Sequence, residues 1–163
     1  MTSFVFTELV PTDGVESAAL GPNSSTKFAD EDIGKAVKFG TANNFVLATN
    51  GDEIEGFVHS IQAYTVNSGF SFGSVQRKGR KLAAVGTNQG GSPMAVGDYV
   101  VADTQTALGT AGTPKVRTGT AFSQSGTTPF AVTMPTPAHA LWKCVRIVSG
   151  TGVAGDSVLI ERV

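Results

Sequence analysis

The stretch SVQRKGRKLAAV, residues 74–85, decides how the chain is read. Four of its twelve basic residues, Arg77, Lys78, Arg80 and Lys81, fall within five positions around Gly79. A nucleic-acid patch and a tight turn between two strands both produce such a cluster. Nucleic-acid readers spread their cations over a face and interleave stacking aromatics. Here the flanking runs, FSFGSVQ (70–76) and KLAAVG (81–86), read as strands, and Gly79 stands where a turn needs positive φ. The stretch therefore reads as a hairpin tip carrying four cations, suited to gripping an acidic protein surface rather than nucleic acid.

Outward from this turn, the same grammar repeats. KAVKF (35–39), NFVLAT (44–49), EIEGFVHSIQAY (53–64), DYVVAD (98–103), KVRTGTAF (115–122), LWKCVRIVS (141–149) and DSVLIERV (156–163) are rich in Val, Ile, Phe and Thr. They are separated by Asn-Gly, Gly-Asp, Gly-Gly and Ser-Gly steps, and FVFTELV (4–10) opens the series. No segment sustains helical periodicity. Ile33, Val37 and Phe39 read as sharing one face, whereas Tyr99-Val100-Val101-Ala102 is apolar on both. Strands buried on both faces imply a barrel, a sandwich or a covering subunit. The expected fold is all-β, a small β-barrel or β-sandwich with extended arms or loops. Residues 1–32 read as an N-terminal strand and arm. Residues 33–163 read as the β domain, with a long Thr/Gly/Pro-rich insertion at about 104–140 that holds no acidic residue.

Composition narrows the function classes. Hydrophobic residues make up 40 % of the 163, enough for a core, and charged residues only 15 %. The net charge of −1 is unevenly spread: residues 1–76 carry nine acids and three bases, while 104–163 carry five bases and two acids. Such a dipolar chain suits charge-complementary contact with a protein neighbour, not dedicated nucleic-acid binding. Cys144, the one cysteine, cannot form an internal disulfide, which fits folding in a reducing cytosol. No apolar run approaches the roughly 20 residues of a membrane span, and no secretory leader is read.

Candidate chemistry resolves into structure. GTGVAG (150–155) satisfies G-x-G-x-x-G, but the chain ends in a strand eight residues later, so it reads as a glycine-rich hairpin loop. His59 and His139 have no nucleophile elbow to serve, and Cys144 sits mid-strand as a core residue. The acidic run Asp30-Glu31-Asp32 lacks calcium-loop spacing and reads as a solvated turn. No catalytic residue, cofactor or metal is expected, and the chain reads as a non-enzyme.

Five phrases in order, IGKAVKFG (33–40), NGDEIEGFVHSI (50–61), GFSFGSVQRKGRKLAAVG (69–86), MAVGDYVVAD (94–103) and DSVLIERV (156–163), resemble bacteriophage capsid decoration, or cement, proteins. The resemblance covers about two thirds of the chain and departs from the family at 11–32 and 104–140. It implies a small β-fold that binds the outside of an assembled phage head, stabilises it and bridges major capsid proteins, commonly at three-fold positions. The implied partners are the major capsid protein and further copies of this chain in a homotrimer, with no nucleic acid and no membrane. The implied location is the capsid exterior of the virion, after synthesis in the host cytoplasm. The candidate capsid-contact residues are Arg77, Lys78, Arg80, Lys81, Lys115 and Arg117. The rival class is a glycan-binding β-module or phage adhesin, which needs exposed aromatics; Trp142, Tyr64 and Tyr99 are those on offer.

Overall fold

A computed structural model describes residues 14–21, 27–62, 71–119, 123–125, 131–133 and 141–163. The strand read at 4–10, Tyr64, His139 and much of the 104–140 stretch lie outside the described residues. The described chain is all-β, with twelve strands and two short 3-10 turns, at Asp30–Asp32 and Thr87–Gln89.

The first barrel closes in the order β1-β3-β2-β4-β5. Its strands are β1 (Val15–Leu20), β2 (Ala36–Phe39), β3 (Phe45–Leu47), β4 (Gly56–Gln62) and β5 (Ser71–Gln76). The second closes in the order β11-β12-β6-β8-β7. Its strands are β6 (Arg80–Val85), β7 (Tyr99–Ala102), β8 (Lys115–Thr118), β11 (Trp142–Ile147) and β12 (Ser157–Arg162). Between β8 and β11, β9 (Ser123–Ser125) and β10 (Ala131–Thr133) pair as a separate two-stranded sheet. Closure leaves neither barrel a free edge, the feature by which open sheets invite aggregation.

The two barrels repeat one topology. In each, the first strand runs parallel to the third, and the other four pairings are antiparallel. Registers also agree: Leu20 partners Phe45 as Val85 partners Val116, and Phe39 partners Phe45 as Ala102 partners Val116. The fourth strand carries a bulge at the same place, between Val58 and Ser60 in β4 and between Cys144 and Arg146 in β11. Even the lead-in turns correspond. Gly34, at φ 96°, donates its N–H to Val58 O at 2.7 Å; Gly97, at φ 100°, donates to Cys144 O at 2.8 Å. Both positions need the left-handed backbone that glycine adopts without strain. Once aligned this way, the sequence itself rhymes: Ala18-Ala19-Leu20-Gly21 with Ala83-Ala84-Val85-Gly86, and Ile33-Gly34 with Val96-Gly97.

Equivalent positions fill equivalent interiors. Ala18, Leu20, Val37, Phe45, Val58 and Val75 line the first barrel, and Ala83, Val85, Val100, Val116, Cys144 and Ile160 line the second. Alternation along each strand sends these side chains inward, and each fully buried Val, Leu or Ile contributes about 1.5–3 kcal/mol.

Three sequence readings are corrected. Within 11–32, the described residues are barrel, not arm: β1 is a full member, and Phe28 and Asp32 are completely buried. The signal was weak because VESAAL turns only small or single apolar groups, Ala18 and Leu20, to the core. Of Ile33, Val37 and Phe39, only the last two share a face of β2: Val37 is buried, Phe39 at the strand's end stacks on Phe45 but is left exposed, and Ile33 precedes the strand and is exposed. The 74–85 stretch turns at Gly79 (φ 82°), but β5 and β6 do not pair with each other. It is the crossover from one barrel to the next, not a hairpin tip. By contrast, 150–155 is the hairpin loop between paired strands β11 and β12, where Asp156 Oδ2 accepts from the N–H groups of Thr151, Gly152 and Val153 at 2.7–3.0 Å.

Candidate functional site

The chemistry-bearing side chains gather at the joint between the barrels. The turn at 30–35 and the β3–β4 connection of the first barrel press against the end of β7, the β7–β8 connection and β8 of the second. Gly51 N–H donates to Ala102 O, and Ala102 N–H donates to Asp52 O, each at 2.9 Å. Arg117 Nε donates to Asn50 Oδ1 at 2.6 Å. Ile54 and Phe57 of the first barrel join the core of the second. There Trp142, fully buried, donates its indole N–H to Ile54 O at 3.0 Å and meets Phe57 edge-on, with ring centroids 4.9 Å apart. Buried Trp usually finds such an acceptor, because an unpaired N–H costs more than the bond returns.

Two ion clusters pin the joint. Lys35 Nζ lies 2.5 Å from Asp32 Oδ1, both side chains buried, and also donates to Ala107 O at 2.7 Å. Asp32 further accepts from Ala29 N–H at 2.8 Å and from Gly109 N–H at 2.9 Å. The acidic run at 30–32 is thus only partly a solvated turn, its third member being a buried clasp between barrels. In the second cluster Glu55 receives Arg77 Nη2 at 3.0 Å and Arg162 Nη2 at 3.8 Å, while Arg77 Nη1 reaches Glu16 at 2.8 Å. Burial alone would lower the Arg77 pKa, but Glu16 and Glu55 outweigh it and hold it above its ordinary value. Arg162 is pushed down, by burial first and then by the Arg77 charge.

The six candidate contact residues separate. Arg77 is consumed by the joint, and its ring neighbour is Phe39, 5.2 Å below the guanidinium. Lys78 is exposed, and Arg80, also exposed, pairs with Glu161 at 3.2 Å. Lys81 lies half-buried over the Phe57 ring at 5.6 Å, where burial lowers its pKa. It floors a shallow groove of about 640 Å³ between the barrels, lined also by Ile33, Leu82 and residues 111–114. Lys115 opens β8, its backbone clamped by the Gln105 amide, whose Nε2 donates to Lys115 O at 2.6 Å. Arg117 belongs to the joint. Exposed Lys78 and Arg80, with Lys81 lining the groove, remain as a cationic strip along its edge.

Of the remaining sequence candidates, His59 is exposed at the β4 bulge. Cys144 is buried inside the second barrel, and burial pushes its thiol pKa up, away from the reactive thiolate. Trp142 is sealed in the joint, and Lys143 Nζ lies 5.4 Å from the centre of the Tyr99 ring. Sequence reasoning missed the exposed Phe39 and Val96; Tyr99, offered as an exposed aromatic for the glycan-binding class, is exposed. Val96 and Tyr99 flank the VGD turn, and a turn followed by an apolar run reads simply as the start of a buried strand.

No protein-family model, no curated protein and no solved structure matches this chain.

Proposed function

We propose that this protein is a capsid decoration protein, binding the outer surface of an assembled phage head as a homotrimer and bridging major capsid proteins. The observation that carries the reading is a division of labour among side chains. Among the described residues, Asp32, Lys35, Glu55, Arg77 and Asp156 are taken up in clasping turns and joining the barrels. The outer surface instead carries large apolar side chains, Phe39, Leu82, Val96 and Tyr99, on closed barrels without sheet edges. Such a body offers rigid protein-binding surface rather than a reaction centre. The ordered likeness of five sequence phrases to decoration proteins supplies the partner. The glycan-binding reading loses ground because Trp142 is buried and bonded, which leaves Tyr99 as its one exposed aromatic among the described candidates.

Mixing the purified protein with undecorated phage shells and sedimenting them tests the reading. Saturable co-sedimentation in many copies per shell is expected, together with greater resistance of the shell to heat. Absence of binding, combined with binding on a glycan array, would replace this reading with the adhesin.

A further inference from the structure

The duplicated barrels do not meet through the same surface. The first barrel contributes its lead-in turn, through Asp32 and Lys35, and its β3–β4 connection, through Asn50, Gly51 and Asp52. The second contributes the end of β7 and the β7–β8 connection, through Ala102, Ala107 and Gly109, with Arg117 of β8. By the shared register, Ala102 corresponds to Phe39 and Arg117 to Val46. Asp32 corresponds to Ala95: Lys35 N–H donates to Asp32 O as Asp98 N–H donates to Ala95 O, each at 3.1 Å. A two-fold contact would join like surfaces. This contact is head to tail, and it leaves one copy of each surface without its counterpart.

Those two unused surfaces carry three of the nine large apolar side chains exposed among the described residues. On the first barrel, Phe39 is 53 % exposed, and Asn44 Oδ1 in the adjoining connection is buried without a hydrogen-bond partner. On the second, Val96 is 62 % and Tyr99 51 % exposed; of their counterparts in the first barrel's turn and strand, Ala36 is fully buried at the joint, while Ile33 edges the groove and stays 45 % exposed. Equivalent positions meet each other at Arg77 and Arg162, where Arg162 Nη1 donates to Arg77 O at 3.0 Å. Equivalent residues touch only near the axis relating their units, so the repeat is a rotation about that side of the molecule, which favours closure over an open filament.

We propose that the Val96–Tyr99 end of one copy's second barrel seats on the Phe39–Val46 end of another copy's first barrel, repeating between chains the contact that joins the barrels within one. The occupant of both surfaces is a second copy of this chain. The inference rests on the homotrimer reading and adds its geometry: three chains close head to tail into a ring of six barrels. Each new joint covers Phe39 and Tyr99, the counterparts of buried Ala102 and Ala36, and borders Val96 as the existing joint borders Ile33.

Ala42 and Ala95 are both exposed, and Ala95 takes the place of Asp32 while Ala42 lies in the connection corresponding to the one that holds Gly109. The variant Ala42→Cys/Ala95→Cys, treated with a short bismaleimide, is expected to give covalent species ending at the trimer, and each single-cysteine variant none. Buried Cys144 is silent in all of them. Dimers from either single-cysteine variant would mean a two-fold contact and overturn the proposal, as would a ladder continuing past the trimer. A wild-type trimer by native mass with no cross-linking in the double variant would overturn this surface while leaving the trimer reading standing. A wild type that is monomeric both free and on shells would remove both. As a second reading, Tyr99→Asp is expected to weaken self-association about tenfold at unchanged melting temperature, and unaltered association contradicts the assigned surface.

Discussion

Arg77 and Arg162 stand at equivalent ends of β5 and β12, yet both turn to one carboxylate, Glu55, at 3.0 and 3.8 Å. The counterpart of Glu55 in the second barrel is Leu141, so the duplication has left two cations sharing one anion at the joint. Replacing Glu55 by Gln leaves the guanidinium groups facing each other with Glu16 alone in reach of Arg77. Partial exposure of the trio reduces the cost below that of a fully buried pair. A loss of about 1–3 kcal/mol of unfolding free energy is expected, seen as a lower urea midpoint; an unmoved midpoint contradicts the clasp.

The Asp32–Lys35 pair is the stricter case, since both side chains are buried. Removing one partner strands the other, at about 3–5 kcal/mol. Asp32→Asn and Lys35→Met are each expected to destabilise by that order, and the double variant by clearly less than the two together. Additive losses in a double-mutant cycle would show that the groups act independently.

The acid limb of stability follows from two aspartates. Burial alone would raise the Asp52 pKa, but Lys38 and the N–H and O–H of Thr49 outweigh it and hold it below its ordinary 3.8. The amides of Thr151, Val153 and Gly152 lower Asp156 likewise. A carboxylate with a depressed folded pKa stabilises above the unfolded value and loses that contribution as pH falls through the folded one. Melting temperature is therefore expected to drop below about pH 4, and Asp52→Asn is expected to flatten that limb, the two curves converging at low pH. Parallel curves from pH 5 to 2 would contradict the assignment.

How much of this was legible in the sequence varies with the kind of evidence. The strands at 36–39, 56–62, 80–85, 99–102 and 157–162 follow from β-branched and aromatic runs bounded by turn residues. The glycine hairpin at 150–155 was legible for the same reason. The duplication was not, because the segment between β8 and β11 spans 119–141 whereas its counterpart between β3 and β4 spans 48–55. That inequality, with the unequal β2–β3 and β7–β8 connections, moves the offset between equivalent positions from 65 at Ala18/Ala83 to 71 at Phe45/Val116 and 86 at Val58/Cys144, so no fixed period runs through the chain. Nor did the cation run at 77–81 announce its partners: Glu16 and Glu55 lie far off in sequence, and only barrel closure brings them to Arg77. The apolar pattern reports burial, whereas which barrel end stays uncovered depends on how the barrels dock.

The cations left facing outward carry a further test. Charge reversal across the whole run would break the Arg77 clasp, so the informative variant is Lys78→Glu/Arg80→Glu. Exposed charges steer association more than they stabilise folds. The melting temperature is expected to stay within about 2 °C, while shell binding weakens in a salt-sensitive way. Unimpaired binding at low salt would remove this strip from the contact surface.

The most direct measurement is a reconstruction of undecorated phage shells after incubation with the purified protein. Added density is expected on the outer surface, as six-barrel rings of three chains centred on three-fold positions, each touching more than one major capsid subunit. Shells without added density, or carrying isolated two-barrel bodies away from any three-fold axis, would contradict the account.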